Sequence, residues 1–182
     1  MAGDEPSLAI PTPLTKDGQP SFNVVLVEPE IPNNTGNIGR TALATGCRLH
    51  IVHPIGFDMG EKARRRAGLD YWPLLDCREH ASWHAYLRDA APPRLWLFST
   101  KAERALWDAP LRRGDALVFG RETRGVDPSV RRDIEERWGR DAVLQMPMVP
   151  VKAARSLNLA TAVAIAVYEG LRQLRAADGL PW

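Results

Sequence analysis

The length, composition and charge of this chain are those of an ordinary globular domain. Its 182 residues are 45% hydrophobic and 25% charged, which suits one domain with a single buried core. The formal net charge is only +2, so the overall charge does not indicate a nucleic-acid-binding protein. Only four of the 24 basic residues are lysines. This bias suits recognition of phosphate by the arginine fork, although a GC-rich genome would produce the same bias.

The cysteines, the hydropathy pattern and the N-terminal residues point to a cytoplasmic protein. Cys47 and Cys77 belong to no CxxC pattern, so we expect neither a disulfide framework nor a zinc site. No apolar run is long enough to cross a bilayer. Residues 1–21 lack the basic start and apolar core of a signal peptide, and their prolines predict a flexible extension before a single domain at 22–182.

Strand-like and helical segments alternate along the chain. Continuous apolar runs typical of buried strands are FNVVLVEP, RLHIVHP, RLWLFST, DALVFG and AVLQMP, and YWPLLD predicts a weaker edge strand. The segments with a helical pattern are IGRTALATG (with Gly46 as its stop), GEKARRRAG, HASWHAYLRDA, DPSVRRDIEERW and RSLNLATAVAIAVYEGLRQLRAA. This alternation predicts an α/β fold with a mostly parallel sheet flanked by helices.

The C-terminal helix is apolar on nearly every face through LATAVAIAVYEG. Such a helix must be buried by its own domain or covered by a partner. A symmetric homodimer is the simplest arrangement that covers it. Tyr168 lies on this helix, and we expect it in the core or in the dimer interface.

Three loops follow the predicted strands at their carboxyl ends, at residues 98–101, 119–125 and 146–158. A fourth, at residues 32–40, follows the first strand. In a parallel sheet these ends lie at one edge, where open α/β sheets bind ligands. In the loop FGRETRG, Glu122 lies between two arginines and two glycines. We expect its carboxylate to accept hydrogen bonds from loop N–H groups, to pair with an arginine and so to hold the loop in shape.

Several enzyme classes lack their required residues. The GxGxxG fingerprint and the Walker lysine pattern are both missing after the first strand, which argues against a nucleotide-dependent oxidoreductase and an NTPase. No Ser–His–Asp order indicates a hydrolase. His50 and His53 are three residues apart on a strand and face opposite sides, so we expect structural histidines and no metal site.

Four segments carry a resemblance to a known family: EPEIPNNTGNIGR, RRRAGLDYW, FGRETRGV and MPMVPVKAARSLNLATAVAIAVYE. Their order resembles that of the SPOUT RNA methyltransferases, over about residues 22–172. RAGLDYW and RSLNL are similar to the TrmL-type branch, which methylates the wobble ribose of tRNA. The resemblance implies a SPOUT fold with a C-terminal deep trefoil knot, whereas the pattern alone predicts an unknotted sheet.

The resemblance also implies S-adenosyl-L-methionine as the cofactor, tRNA as the substrate and no requirement for a metal. The residues that it assigns to cofactor binding are Phe98, Thr100, Gly120, Glu122, Met146 and Ser156. Without the resemblance, Phe98 and Met146 would be interpreted as core residues and Gly120 as a turn glycine. Ser156 and Asn158 would also suit a cap of the last helix.

Arg40, at the end of NNTGNIGR, matches the catalytic arginine of the family. Because a guanidinium stays protonated in proteins, we expect it to bind a phosphate and to stabilise the developing alkoxide rather than act as a base. In family members this arginine faces the cofactor of the other subunit, so dimerisation would be required for activity. Without the motif, Arg40 would be interpreted as a surface residue.

Asn33 and Asn37 frame the substrate pocket in the family pattern, and would otherwise be turn or helix-start residues. Arg65 and Arg66 belong to the densest basic run, with Lys62 and Arg64, which suits either RNA phosphates or a solvated helix face. The stretch VKAA between Pro150 and Arg155 makes this loop a little longer than the family pattern, and it places the positive charge of Lys152 near the pocket mouth. Two other functions stay open: methylation of ribosomal RNA, and an inactive RNA-binding module of the same fold.

Overall fold

A computed structural model of the protein describes residues 18–151, 153 and 155–178. Residues 1–17 and 179–182, Lys152 and Ala154 lie outside these ranges, so the predictions for Lys152 and for the flexibility of residues 1–17 are not addressed. At one position the predicted extension is wrong. Ser21 is fully buried, and its backbone bonds to Gly46 and Gly114, because it is already part of the packed domain.

In the described part of the chain, seven parallel strands form one sheet, so the predicted α/β class is confirmed. They are β1 (Asn23–Val27), β2 (Arg48–Val52), β3 (Cys77–His80), β4 (Leu95–Phe98), β5 (Arg104–Ala105), β6 (Ala116–Phe119) and β7 (Val143–Gln145). Their order across the sheet is β3-β2-β1-β6-β4-β7-β5. The knot stays a prediction of the family resemblance.

Among the residues that the structure describes, five α-helices connect and cover these strands. They are α1 (Pro32–Ala44), α2 (Glu61–Arg66), α3 (Trp83–Ala90), α4 (Pro128–Trp138) and α5 (Leu159–Asp178). Polar side chains cap several of them: Ser82 accepts from the Ala85 N–H at α3, and Asp127 accepts from the Ser129 N–H at α4. Gly46 has a φ of +63° just past α1, which confirms it as the predicted stop.

The central strands β1, β2, β4 and β6 are buried on both faces, as their unbroken apolar runs predict. Val24 and Leu26 of β1 belong to a core that also contains residues of α1 and α5. Val25 and Val27 point the other way, into a core shared with α3 and α4. The sheet therefore lies between two helical layers, with α1 and α5 together on one side.

Two glycines of α1 allow the segment after α2 to pack closely against it. A Cβ at Gly36 would lie 3.0 Å from Leu69 Cδ2, and a Cβ at Gly39 would lie 2.6 Å from the Trp72 ring. This contact buries Trp72 and places Tyr71 beside the same helix.

Some predicted boundaries are wrong. Helix α1 begins at Pro32, six residues before the predicted start at Ile38. The prediction failed because asparagines and glycine are typical of loops. Proline is nevertheless well suited to the first position of a helix. YWPLLD contains a 3₁₀ turn at Trp72–Leu74 instead of an edge strand. The edge strand next to β2 is β3, where Arg78 and Glu79 are exposed. Its polar sequence hides it from a hydropathy pattern, and the two-residue β5 was not predicted.

His50 has a structural position, as predicted. Its Nδ1 lies 2.9 Å from His80 Nε2, and its Nε2 lies 3.2 Å from Asn23 Oδ1. Burial lowers the pKa of His50 to about 3. His50 is thus a neutral link between β1, β2 and β3.

Candidate functional site

The loops predicted to converge do follow adjacent strands. Strands β6, β4 and β7 are neighbours in the sheet, and β1 lies directly beside β6. Because all four run in the same direction, their carboxyl ends bring the segments 28–31, 99–103 and 120–126 and the described residues of 146–158 to one edge. The candidate site is built from these four segments.

The segment 120–125 closes on itself. Arg121 and Gly125 exchange backbone hydrogen bonds of 3.2 and 2.9 Å, and Gly125 has a φ of +72°. A Cβ at Gly120 would collide with the backbone of Gly125 and Val126. Glycine at position 120 is therefore required by the close approach of the loop to its own base.

Glu122 accepts hydrogen bonds from the start of α1. Its carboxylate accepts from the Glu30 N–H at 2.8 Å, the Ile31 N–H at 3.2 Å and Asn34 Nδ2 at 2.9 Å. The expected hydrogen bonds from loop N–H groups are confirmed, although the donors belong to the segment after β1. The expected arginine partner is replaced by Asn34. A carboxylate at a helix N-terminus is also favoured by the helix dipole.

Two other contacts join the same two segments. Arg121 forms an ion pair with Glu28, whose φ is +53°, and the Arg121 Nε lies 3.0 Å from the Glu28 carboxylate. This hydrogen bond raises the pKa of Arg121. Glu30 accepts from the Thr123 N–H at 3.0 Å and from its hydroxyl, which lowers the pKa of Glu30. Each loop is thus held by side chains of the other.

Asn34 extends this network to α5. It is only 6% exposed, and its Oδ1 accepts a hydrogen bond of 2.9 Å from Asn158 Nδ2. Asn158 Oδ1 accepts in turn from the N–H groups of Ala160 and Thr161 in the first turn of α5. A chain of hydrogen bonds therefore runs from Glu122 through Asn34 and Asn158 to α5.

The predicted substrate and catalytic residues share the outer face of α1. Asn33, Asn37 and Arg40 are exposed and spaced so that they lie along one side of the helix. The guanidinium carbon of Arg40 lies 4.7 Å from the centre of the Tyr71 ring, a cation–π geometry. The Tyr71 hydroxyl donates to the Gly36 carbonyl oxygen of α1. Tyr71 therefore holds the Arg40 side chain against the helix from which it projects.

The remaining predicted cofactor residues lie on the loops after β4 and β7. Phe98 is half-buried and stacks on Phe119, with ring centres 4.6 Å apart. Met146 is also half-buried, and both pack against the core. Thr100 and Ser156 are exposed. These loops therefore offer two half-buried apolar side chains and two exposed hydroxyls beside Gly120.

The basic helix α2 is exposed at the residues predicted to contact the substrate. Arg65 and Arg66 point to solvent, and Arg65 pairs with Glu61 at 2.7 Å. Arg64 lies over the Trp72 ring at 5.9 Å.

Tyr71, Asn34 and Glu28 were missed as site residues by the sequence reasoning. Asn34 and Tyr71 lie inside the quoted segments EPEIPNNTGNIGR and RAGLDYW, so the signal for them was present. Their contacts join residues that are far apart in the chain, and a single sequence does not disclose such pairs.

Helix α5 buries one face and exposes the other. Val163, Val167 and Leu171 are buried, whereas Tyr168 is 57% exposed. Tyr168 is therefore not a core residue of the single chain. Other exposed apolar side chains lie at the start of α1 and in the loop before α5: Ile31, Met148, Val149, Val151 and Leu157.

Comparisons with known proteins agree with this arrangement. Residues 21–168 match the model of the SpoU rRNA Methylase family. The chain belongs to the SpoU rRNA methylase family. It is 48% identical over 153 residues to the tRNA (cytidine(34)-2'-O)-methyltransferase of Saccharophagus degradans, covering 84% of this chain and 96% of that one.

Two solved structures are similar to this one. The first, described as "Structural insights into the 2-OH methylation of C/U34 on tRNA", has a TM-score of 0.72 and 44% identity, covering 85% of this chain and 97% of that one. The second is the SpoU methyltransferase AviRb of Streptomyces viridochromogenes in complex with the cofactor AdoMet. It has a TM-score of 0.67 and 24% identity, and covers 87% of this chain and 62% of that one, which supports the fold.

Residues 18–151, 153 and 155–178 contain neither a membrane-spanning helix nor a candidate metal cluster. None of the helices in these ranges is both long and apolar enough to cross a membrane. Within the same ranges, no group of three or more His, Cys, Asp or Glu side chains is placed to hold a metal ion.

Proposed function

We propose that this protein transfers a methyl group from S-adenosyl-L-methionine to the ribose 2′-OH of the wobble nucleotide of tRNA. The observation that carries the proposal is the similarity to a tRNA (cytidine(34)-2'-O)-methyltransferase along nearly the whole length of that relative. The exposed row of Asn33, Asn37 and Arg40 beside the loop cluster gives this similarity a physical basis. A tRNA substrate also favours a cytoplasmic location.

The loops after β6, β4 and β7 suit the cofactor. An adenosine needs an apolar slot with backbone donors and acceptors, and Phe98, Met146 and the backbone at Gly120 are of that kind. Thr100 and Ser156 place hydroxyls on the same loops. When bound there, the cofactor would supply a methyl group already activated by its sulfonium.

Within this site Glu122 has an organising task. It connects the wall at 120–125 to the segment that carries Arg40, through its bonds to Glu30, Ile31 and Asn34. Together with the Arg121–Glu28 and Glu30–Thr123 contacts, this half-buried carboxylate fixes the relative position of the two walls.

Arg40 acts on the nucleophile. In this transfer the 2′-OH oxygen would bond to the methyl carbon as the methyl–sulfur bond breaks, and its proton would pass to water, so negative charge develops on that oxygen. A guanidinium held over Tyr71 stabilises such charge and also binds the adjacent phosphate. Asn33 and Asn37 flank it on the same helix face and contact the target nucleotide, while Arg65 and Arg66 contact the RNA backbone.

The active form is a homodimer in which Arg40 of one subunit acts at the cofactor of the other. The support is the exposed apolar set at Ile31, in the loop 147–157 and at Tyr168, which a second subunit would cover. The bond between Asn34 and Asn158 holds the first two of these segments together. Light scattering of the purified protein tests this: a mass of one chain contradicts the dimer.

Mass spectrometry of tRNA nucleosides tests the function itself. We expect cells that lack this protein to lose a 2′-O-methylated wobble nucleoside, and a plasmid copy to restore it. Calorimetry with S-adenosyl-L-methionine distinguishes the enzyme from an inactive RNA-binding module, which need not bind the cofactor. Unchanged tRNA nucleosides together with a lost methyl group in ribosomal RNA would favour the ribosomal substrate instead.

A further inference from the structure

A second cleft lies at the same edge of the sheet, on the other side of β1 from the candidate cofactor loops. Its volume is about 530 Å³, and it opens where β2 ends and beside β3. The segment 53–60, Glu79 of β3 and Arg64 of α2 form its walls.

The lining combines apolar and charged side chains. Ile55, Phe57 and Met59 supply an apolar surface. Asp58 and Glu79 supply two carboxylates. Asp58 Oδ1 accepts from the Gly60 N–H at 2.7 Å, and Glu79 Oε2 lies 2.8 Å from His53 Nε2. Each carboxylate uses one oxygen in these contacts, so the second oxygen can accept from a ligand.

This chemistry favours a nucleobase over a phosphate. Two carboxylates beside one guanidinium repel an anion, whereas a carboxylate accepts well from the amino group of a base. An aromatic side chain such as Phe57 stacks on the planar face of an unpaired base, which is how proteins usually read single-stranded RNA loops.

Helix α2 relates the cleft to an RNA backbone. Arg64 lines the cleft, while a depression of about 360 Å³ on the same helix is lined by Lys62, Arg65 and Arg66 together with Glu61. A nucleotide with its base in the cleft would therefore have a basic surface beside it for its phosphates.

The cleft is also connected to the candidate catalytic residue. Arg64 lies over Trp72, and the Trp72 ring packs against α1 at Gly39, the neighbour of Arg40. Tyr71, next to Trp72, lies under the Arg40 guanidinium. One pair of aromatic residues thus supports both places.

We propose that this cleft binds an unpaired nucleobase of the substrate tRNA, other than the base of the methylated nucleotide, and that this base carries an exocyclic amino group. The proposal rests on the proposed function for the identity of the RNA. It assigns the cleft a part in choosing which tRNA is methylated.

The test uses anticodon stem-loop RNAs, intact or with one loop base removed at a time, and measures their Kd by fluorescence anisotropy. For the wild-type protein we expect one missing base besides the target to weaken binding. Phe57→Ala should weaken binding of the intact RNA about tenfold, the usual effect of losing a base–aromatic stack. It should also abolish the penalty for the missing base, while the affinity for S-adenosyl-L-methionine stays unchanged.

Trp107→Ala is the matched control, since Trp107 is an exposed aromatic beside the edge strand β5 at the opposite end of the sheet. Its RNA affinity should equal that of the wild type. Glu79→Gln, which keeps the shape of the cleft, should reduce the preference for an amino-bearing base over uracil at the sensitive position. The proposal is overturned if Phe57→Ala binds the intact RNA normally or keeps the full penalty. Methylation of the intact RNA by the wild-type protein, measured in parallel, tests the proposed function separately.

Discussion

The two faces of α1 have different tasks. The inner face carries Asn34, Gly36 and Gly39, which bond to or pack against the loop at Glu122, the start of α5 and the segment 69–72. The outer face carries Asn33, Asn37 and Arg40, all exposed. One helix therefore both holds the site together and presents its chemistry, so substitutions on the two faces should separate stability from activity.

The largest effect should come from Arg40→Ala on the outer face. We expect kcat to fall about 100-fold or more, the usual result of removing a group that stabilises a developing oxyanion. Cofactor affinity and the free energy of unfolding should hardly change, because Arg40 is exposed. Single-turnover methylation and urea unfolding measure both. Arg132→Ala, an exposed arginine on α4 across the sheet, is the control, and unchanged turnover for Arg40→Ala would remove Arg40 from the mechanism.

Glu122→Ala should have the largest effect on stability. It removes the acceptor of three hydrogen bonds at the start of α1, and hydrogen bonds to a charged group are worth about 1.5–3 kcal/mol each without being additive. We expect the free energy of unfolding to fall by about 2–3 kcal/mol in urea titrations. Glu136→Ala, at an exposed position of α4, should change it little. Equal stability of the two variants would contradict the organising task of Glu122.

The two inner-face glycines should respond differently to alanine. At Gly39 a Cβ would lie 2.6 Å from the buried Trp72 ring, so Gly39→Ala should cost about 1–3 kcal/mol through overpacking. At Gly36 the nearest atom is the end of a flexible leucine at 3.0 Å. Gly36→Ala should be nearly neutral, because alanine gains about 1 kcal/mol in a helix. Thermal unfolding of the two variants measures this difference. A lower Tm for Gly36→Ala than for Gly39→Ala would contradict the packing described.

Substitution of Tyr71 should affect activity less than substitution of Arg40, since Tyr71 supports the Arg40 side chain without contacting the substrate. We expect Tyr71→Leu to lower kcat about tenfold by loss of the cation–π contact to Arg40, with little change in KM for tRNA. Tyr71→Phe keeps the ring and loses only the bond to the Gly36 carbonyl, so its kcat should be close to that of the wild type. If Phe and Leu lower kcat equally, the ring does not position Arg40.

Much of the fold was predictable from local pattern. The unbroken apolar runs predicted β1, β2, β4, β6 and β7, because a strand buried on both faces carries apolar residues at every position. The failures have local causes as well. Strand β3 is half polar, and α1 begins with residues typical of turns, so neither has the pattern of its element.

For the site, the sequence by itself determined the residue types and their order: the glycine at 120, the carboxylate at 122 and the arginine at 40. Only the tertiary structure decided the contacts of Glu122. An arginine of its own loop is near in sequence, yet Arg121 pairs with Glu28, and Glu122 turns to the start of α1. The physical reason is that parallel pairing of β1 with β6 brings residues about 90 positions apart within hydrogen-bonding distance, and no local pattern encodes such a pairing.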